Sequence, residues 1–311
     1  MDGPELRIVL IHRRTRLADL IARHNTLDQA RFYVERLGGD FEDYVREDAR
    51  YRAVLIQAEQ TLRARGRVQP LERGFLPNYL FGPDDLVVVV GQDGLVANTL
   101  KYLDGQAVIA VNPDPSRFSG VLLPFAVDDL PAIVPEARAG TRPIRDLAMA
   151  EARLSDGQRL LAVNDLFLGP RRHTTAAYVL QHGERSEAQW SSGLIVSTGL
   201  GATGWLGSIL AGAAALGGAL GQDLDPRPLT EGLTWDSRHL LFAVREPYAG
   251  TAGRTELVYG RVDARTPLVL ESRMAEDGVV FSDGMLDDAL PFNAGTRAEV
   301  RVADGVGRLV V

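Results

Sequence analysis

The chain has 311 residues, of which 45% are hydrophobic and 24% are charged, proportions that are ordinary for a globular protein. It contains no cysteine, so disulfides and thiolate metal sites are excluded and nothing indicates an oxidising compartment. The formal net charge is −7 and no basic tract occurs, which argues against nucleic acid as a partner. The N-terminal residues lack the pattern of a secretion signal, and no apolar run looks long enough for a membrane span. We therefore expect a cytoplasmic protein without a membrane partner.

The first part of the chain has the pattern of an α/β domain. Short apolar runs suit strands that are buried on both faces, and amphipathic stretches between them predict helices. Thr26 and the pair Gly38-Gly39 are typical N-terminal and C-terminal residues of a helix. We expect a parallel sheet with strands at 6–11, 86–90 and 107–111, and helices at 27–37, 41–65 and 95–103.

From about residue 145 the pattern changes to short runs in which apolar and polar residues alternate, separated by turn residues such as Asp283-Gly284. This pattern is typical of an antiparallel β domain. One helix rich in Ala and Gly interrupts it, from Trp205 to about Leu220. We expect two domains, at 1–130 and 145–311, with a hinge at Pro131–Gly140.

Residues 87–95, with the sequence VVVVGQDGL, predict a buried strand that leads through glycines into a helix. Backbone N–H groups at such a helix start bind anions, because they are unpaired and the helix dipole favours negative charge. Gly91 and Gly94 would supply backbone freedom. Asp93 suits either a magnesium contact or a base that accepts a proton from an attacking hydroxyl. Gly-x-Asp-Gly also occurs in ordinary turns, so this motif taken alone is compatible with either a phosphate-binding loop or a simple turn.

Four segments in chain order resemble the NAD kinase family, and within it the divergent branch of mitochondrial and NADH-preferring plant enzymes. They are VVVVGQDGL (87–95), AVIAVNPDPSRFSGVLLPF (107–125), Asn164-Asp165 in LLAVNDLFLG, and SSGLIVSTGLGATGWLGSI (191–209), with a weaker match at Arg245-Glu246-Pro247. Several motifs in register are more specific than one. The resemblance implies an NAD kinase-like two-domain architecture. Its N-terminal α/β domain has a parallel sheet and binds nucleotide, and its C-terminal antiparallel β domain binds the dinucleotide.

The resemblance also implies a reaction. Family members transfer the γ-phosphate of ATP to the 2′-hydroxyl of the adenosine ribose of NAD or NADH, and the loop carboxylate, here Asp93, is the base. ATP and the dinucleotide are the expected small-molecule partners, Mg²⁺ is expected with ATP, and a homodimer or higher homo-oligomer is expected by analogy. Phosphoryl transfer mainly requires positioning, magnesium and a proton acceptor, so one carboxylate beside a phosphate loop suffices.

Binding roles follow from the same resemblance. Asn164 and Asp165 would contact the dinucleotide through hydrogen bonds, and Trp205 would stack on a base. The other expected contacts are Gly91, Gly94, Asn112, Asp114, Thr198, Gly201, Thr203 and Gly204. Structural interpretations stay open beside these roles. They are a strand-end turn for Asn164-Asp165, a core tryptophan at the domain junction for Trp205, and an Asx-Pro turn for Asn112 and Asp114.

Gln92 and Leu95 depart from the family pattern, which has glycine and threonine at these positions. A side chain at position 92 makes a backbone with positive φ costlier, and Leu95 offers no hydroxyl to cap the helix. Two alternatives therefore remain: a non-catalytic NAD- or nucleotide-binding homologue, and a kinase of another hydroxyl substrate. The five histidines have no ligand spacing, so no dedicated metal site is expected. Arg171-Arg172 fits a solvated hairpin tip better than a phosphate contact.

Overall fold

The computed structural model describes residues 6–250 and 255–311. The described chain forms two compact units, one of residues 6–145 and 308–311 and one of residues 146–307. The first unit thus includes residues 131–145 and the last four residues, and the domain bounds 1–130 and 145–311 stay a prediction. The expected hinge at Pro131–Gly140 lies inside the first unit and is largely helical.

The first unit is a parallel sheet flanked by helices. Its sheet has the order β2-β1-β3-β4, and Arg308 and Leu309 extend it by pairing in parallel with β4. In chain order its elements are β1 (Arg7–His12), α1 (Arg16–His24), α2 (Leu27–Arg36), α3 (Phe41–Arg63), β2 (Arg67–Glu72), β3 (Leu86–Val90), α4 (Asp93–Leu100), β4 (Ala107–Val111) and α5 (Leu130–Arg138), with 3₁₀ turns at Arg73–Asn78 and Val127–Asp129.

Strand β3 lies in the middle of this sheet, and every residue of Leu86–Val90 is buried. Its neighbours β1 and β4 contain buried apolar runs at Ile8–Ile11 and Val108–Val111, because a parallel sheet covered on both faces leaves no strand face in water. Tyr51, Ala58 and Leu62 of α3 pack against the sheet in one core with residues of α5. The predicted α/β class of this part of the chain is confirmed.

Three elements of the first unit were not predicted. Strand β2 carries only two buried apolar residues, and Pro70 lies in it, as is usual for an edge strand. Helix α1 is short and begins after Thr15, whose hydroxyl accepts a hydrogen bond from the Ala18 N–H. Helix α5 contains Pro135, which has no N–H for the carbonyl of Pro131. That carbonyl instead accepts from Arg65 Nη2 at 3.1 Å, so the helix continues past its proline.

The described residues of the second unit contain strands of two β-sheets and two α-helices. One sheet has the order β16-β13-β8-β9 with β5 and β6 beside β16, and the other, six-stranded, has the order β12-β11-β10-β7-β14-β15. Its elements are β5 (Ile144–Leu154), β6 (Arg159–Ala162), β7 (Asp165–Pro170), β8 (Ala176–His182), β9 (Arg185–Ser191), β10 (Leu194–Ser197), α6 (Trp205–Ala219), α7 (Arg227–Thr230), β11 (Leu240–Val244), β12 (Tyr259–Val262), β13 (Leu268–Ser272), β14 (Gly278–Ser282), β15 (Met285–Pro291) and β16 (Arg297–Val310), with a 3₁₀ turn at Gly201–Thr203.

The six-stranded sheet is antiparallel throughout and is covered on both faces. Leu166 and Leu168 of β7 point into the core shared with the other sheet. Phe167, between them, points to the opposite face, where it packs with Leu206 of α6. This alternation is what period-two patterning predicts. The predicted antiparallel β class of the second part of the chain is confirmed.

Helix α6 leaves most of its apolar surface uncovered. Within the described residues, the segment Gly201–Ala219 is long and apolar enough, by length and composition alone, to cross a membrane, and only 11% of it is buried. This differs from the expectation that no run reaches that length. The regular α-helix within the segment has 15 residues, fewer than the roughly 20 that a span through hydrocarbon requires.

Gly278, the first residue of β14, has no room for a side chain. A Cβ at this position would overlap the carbonyl oxygen of Phe292. We predict that Gly278→Ala destabilises the protein by at least about 2 kcal/mol, a fall of roughly 4 °C or more in the midpoint of thermal unfolding. Gly305→Ala is the matched control, because its Cβ would meet nothing within 4 Å. Equal midpoints for the two variants would contradict the prediction.

Candidate functional site

The first group of candidate residues lies where β3 ends. Gly91 follows the strand, Gln92 is the residue before α4, and Asp93 is the first residue of the helix. The helix thus begins two residues earlier than predicted, and Asp93 lies in its first turn, where the dipole favours a carboxylate. The N–H groups of Leu95 and Val96 donate to the carbonyl of Gln92. Within the described residues the N–H groups of Asp93 and Gly94 make no hydrogen bond, so these two can bind an anion.

Asp93 is attached to a neighbouring loop through one of its two carboxylate oxygens. Its Oδ1 accepts a hydrogen bond of 2.7 Å from the backbone N–H of Leu122. Leu122 belongs to the loop that follows Asn112 and turns at Gly120, which has φ +64°. Within the described residues Oδ2 makes no hydrogen bond. The carboxylate therefore has a fixed position and one oxygen that is available for chemistry.

The loop tolerates the two departures from the expected motif. Gln92 has φ −116°, an ordinary extended conformation, so the expected cost of a side chain at this position does not arise. Gly94 does not have a positive φ, and an added Cβ would meet nothing within 4 Å. Gly91 is required for a different reason, because a Cβ there would lie 2.6 Å from Leu95 Cδ2. Leu95 is buried against Gly91, and the two residues are sterically coupled.

Tyr51 of α3 holds the ends of β1 and β3 together. Its hydroxyl donates to the carbonyl of Val90 at 2.8 Å and accepts from the N–H of Arg13 at 3.0 Å. The ring is 3% exposed, and burial raises the pKa of its hydroxyl to about 12. Arg13 lies over the ring and pairs with the buried Glu47 at 2.7 Å. Val90 immediately precedes the glycine loop, so this hydroxyl fixes the point from which the loop departs.

Asn112 and Asp114 are buried and their polar atoms are used within the loop that they begin. Asn112 Oδ1 accepts from the N–H of Asp114, and its Nδ2 donates to the carbonyl of Phe118. Asp114 Oδ1 accepts from the N–H and hydroxyl of Ser116. Asp114 also pairs with Arg50 at 3.4 Å. The arrangement is the Asx turn that the sequence left open as an alternative, and it shapes the loop that carries Leu122.

The second group of candidate residues lies in the second unit, around the short segment between β6 and β7. Thr198 donates its hydroxyl to the carbonyl of Val163 at 2.6 Å, and its N–H donates to the carbonyl of Asn164 at 2.9 Å. A Cβ on Gly201 would overlap the carbonyl of Asn164. The structure thus brings Asn164 together with Thr198 and Gly201. Thr198 is fully buried, so it supports the segment from within.

Asn164 and Asp165 are the polar side chains that this segment presents. The amide of Asn164 makes no hydrogen bond within the described part of the chain. Asp165 Oδ1 is buried without a partner. Burial raises the pKa of Asp165 to about 7, the hydroxyl of Ser197 on β10 lowers the pKa, and the charge of Asp283 raises it further. A buried acceptor without a partner and an amide with free donors form a site that a hydroxyl or base edge can satisfy.

Trp205 belongs to a stack of three aromatic rings beside this segment. Its ring is 5.6 Å from that of Phe167 and 6.3 Å from that of Phe281, with interplanar angles of 12° and 15°. The guanidinium of Arg245 lies 5.2 Å from the Trp205 ring centre. Thr203 and Gly204, which precede Trp205, are exposed at the start of α6. Trp205 is therefore neither a free stacking platform nor a fully buried core residue.

The aromatic stack forms one wall of a cavity of about 1000 Å³ whose lining residues all belong to the second unit. Its lining includes the arginines Arg171, Arg172 and Arg245, the carboxylate of Glu246, and the rings of His173, Trp190 and Tyr248. A planar base can stack on such rings, and arginines can balance the charge of phosphates. Arg171 and Arg172 are exposed on the loop between β7 and β8, which agrees with the expected solvated position, and they also line this cavity.

Four contributors were not found from the sequence. Phe167 could have been, because it lies two residues after Asp165 on the same face of a strand. Tyr51, Leu122 and Phe281 carry no local signal, since their roles depend on contacts far away in the chain. Gly91, Asp93, Gly94, Asn112 and Asp114 belong to the first unit. The remaining candidates, from Asn164 to Trp205, belong to the second unit.

Two solved kinase structures share this fold. The chain aligns with an NAD kinase from Archaeoglobus fulgidus in complex with ATP over 98% of its own length and 94% of that chain, with a TM-score of 0.55 and 14% identity. It aligns with a yeast NADH kinase complexed with NADH over 99% of its length and 84% of that chain, with a TM-score of 0.54 and 13% identity. No protein-family model and no curated protein matches the sequence. The chain has an NAD kinase-like fold.

The bridge made by Tyr51 can be tested by removing one oxygen. Tyr51→Phe leaves the carbonyl of Val90 and the N–H of Arg13 without this partner, which costs about 1–3 kcal/mol when the groups are buried. We predict a lower midpoint of thermal unfolding for this variant. Tyr33→Phe, at a side chain that is 42% exposed, is expected to leave the midpoint unchanged. An unchanged midpoint in Tyr51→Phe would show that the bridge contributes nothing.

The raised pKa of Asp165 predicts a pH dependence of stability. Between about pH 4 and pH 7 the folded protein keeps Asp165 protonated, whereas the unfolded chain ionises it. The stability contributed by the protonated group is therefore lost as pH rises through this window. Asp165→Asn lacks this loss, so its unfolding midpoint should rise relative to wild type between pH 4.5 and pH 7.5. The control is Asp287→Asn, at an exposed residue, whose unfolding midpoint should differ from that of wild type by the same amount at every pH. If the midpoints of Asp165→Asn and wild type also differ by the same amount at every pH, the raised pKa of Asp165 is refuted.

Proposed function

We propose that the protein is an NAD(H) kinase-like phosphotransferase that moves the γ-phosphate of ATP to the 2′-hydroxyl of the adenosine ribose of NAD or NADH. The observation that carries the proposal is the position of Asp93. It is a carboxylate in the first turn of α4, beside free N–H groups, with one oxygen fixed by Leu122 and the other available. Two structural neighbours are kinases, one solved with ATP and one with NADH.

The second unit offers the groups that a dinucleotide requires. Within the described residues the amide of Asn164 makes no hydrogen bond, and Asp165 Oδ1 is buried without a partner. The rings of Phe167, Trp205 and Phe281 offer an apolar surface for a base. Arginines at the cavity balance phosphate charge, which suits a chain whose only lysine, Lys101, is buried. We infer that this surface binds NAD or NADH.

In the proposed step, the 2′-hydroxyl oxygen attacks the γ-phosphorus while its proton passes to Asp93 Oδ2. The bond between the γ-phosphorus and the oxygen that bridges it to the β-phosphorus breaks, and ADP leaves with that oxygen. Because the bond from Leu122 fixes the carboxylate, little reorganisation is required when the proton arrives. The N–H groups at the start of α4 stabilise the charge on the phosphates.

Magnesium fits this scheme as a companion of ATP. Within residues 6–250 and 255–311, no group of three or more His, Asp or Glu side chains could hold a metal ion. Magnesium is commonly bound by substrate phosphates with one or two carboxylates, and Asp93 is the carboxylate at the glycine loop. When bound with ATP, the ion would neutralise charge on the β- and γ-phosphates.

Asp93→Asn tests the proposed base. Asparagine keeps an acceptor oxygen for the Leu122 N–H, so the loop position is preserved while the proton acceptor is lost. With ATP, magnesium and either NAD or NADH, we expect the rate of NADP(H) formation to fall by about 10²-fold or more, with unchanged dinucleotide binding. Asp104→Asn, an exposed carboxylate of the same unit, serves as the control with full activity.

The outcomes distinguish the alternatives. Measurable NAD or NADH binding without product from the wild-type protein would favour a non-catalytic dinucleotide-binding protein. ATP consumption only in the presence of a different alcohol would favour a kinase of another hydroxyl substrate. Full activity of Asp93→Asn would reject the role of Asp93 while leaving the phosphotransferase proposal in place.

A further inference from the structure

The turn between β14 and β15 reaches across to the segment that carries Asn164 and Asp165. The carboxylate of Asp283 accepts three backbone hydrogen bonds there, from the N–H groups of Val163 at 3.0 Å, Asn164 at 2.6 Å and Asp165 at 3.2 Å. The N–H of Asp283 in turn donates to the carbonyl of Asp165 at 2.9 Å. One side chain therefore receives three successive N–H groups.

These bonds replace a partner that the sheet does not provide. Strand β6 ends at Ala162 and β7 begins at Asp165, so the N–H groups of Val163 and Asn164 lie between two strands. Buried N–H groups without a partner are costly, and bonds to a carboxylate are about twice as strong as neutral ones. Thr198 binds the two carbonyls of the same residues. The backbone of the segment is thus held from both sides.

The turn adopts a conformation that only a few residue types accept easily. Asp283 has φ +51° and Gly284 has φ +72°. A left-handed backbone is unfavourable for most side chains, but Asp, Asn and Gly adopt it readily. In this conformation the carboxylate lies against the backbone of residues 163–165, where it accepts the three hydrogen bonds. The pair Asp283-Gly284 is recognisable in the sequence as a turn, but its target is not.

We infer that Asp283 is a positioning residue that sets the backbone of Asn164 and Asp165 and so the affinity for the dinucleotide. The inference rests on the proposed function, in which these two side chains contact NAD or NADH. All carboxylate bonds of Asp283 to the segment go to main-chain groups, so the amide of Asn164 remains free for the ligand. Asp283 acts through the segment and has no part in the transfer step.

Asp283→Asn is the first test. Asparagine tolerates the left-handed backbone but has one acceptor oxygen in place of two and no charge. We expect faster hydrogen exchange at the amides of 163–165 and a dissociation constant for NADH raised at least about tenfold. The KM for ATP should stay within about twofold of wild type. Asp156→Asn is the matched control, because Asp156 also accepts backbone and side-chain bonds in a turn of the second unit, from Gln158.

The pH dependence of NADH affinity is a second measurement, and its midpoint would not change if the variant only made residues 163–165 less rigid. Asp165 on β7 is faced by Ser197 from β10 and by Asp283 from the β14–β15 turn. Removing the charge of Asp283 lowers the pKa of Asp165, so the pH midpoint of NADH affinity should shift to lower pH in Asp283→Asn. In Asp156→Asn the midpoint should remain that of wild type. An unshifted midpoint in Asp283→Asn would count against the inference.

Asp283→Glu guards against a folding defect. Glutamate keeps the charge and both oxygens but is longer by one methylene, so it should weaken NADH binding while leaving the pH midpoint in place. Faster amide hydrogen exchange at residues 163–165 together with a wild-type affinity for NADH would overturn the inference. Unfolding of both Asp283→Asn and Asp283→Glu would also overturn it, because the role of Asp283 would then be purely structural. If the wild-type protein binds neither NAD nor NADH, the proposed function itself fails, and that failure is visible before any variant is measured.

Discussion

The structure around both groups of candidate residues depends on one constraint, which is that buried backbone polar groups need partners where strands end. Val90 is the last residue of β3 and Arg13 follows the end of β1. The Tyr51 hydroxyl bonds to the carbonyl of Val90 and to the N–H of Arg13 and so joins the two strand ends. In the second unit, the N–H groups after β6 are received by Asp283. Each solution uses a side chain from a distant part of the chain, and each fixes the backbone next to a candidate functional residue.

This constraint separates residues that support the site from residues that can contact a ligand. Thr198, Asn112 and Asp114 have their polar atoms engaged inside the protein. Within the described residues the amide of Asn164 and one oxygen of Asp93 make no hydrogen bond, and Asp165 Oδ1 is buried without a partner. A proton acceptor with one fixed oxygen and a dinucleotide surface with unused hydrogen-bonding groups together fit the proposed phosphotransferase. The supporting residues explain why those few atoms are held in place.

Much of the fold could be predicted, because buried parallel strands and alternating antiparallel strands leave distinct patterns. The pattern did not reveal β2, whose two buried apolar residues are too few, or α5, where a hinge at Pro131–Gly140 was expected. Of the site, Asp93 and Asn164-Asp165 were found as motifs in order. Tyr51, Leu122 and Phe281 were not, since nothing in their local sequence indicates which distant group they contact. The strain expected at Gln92 was wrong because the backbone there is extended.

By itself the sequence determined the two structural classes, the glycine turn before a helix, and the reliance on arginine for positive charge. These properties are local, because they follow from residue types at fixed spacing. Only the tertiary structure decided which atoms are free. It engaged one oxygen of Asp93 with Leu122, placed Arg171 and Arg172 at a cavity, and aimed Asp283 at three N–H groups. The physical reason is that hydrogen-bond satisfaction depends on long-range packing, which no local pattern records.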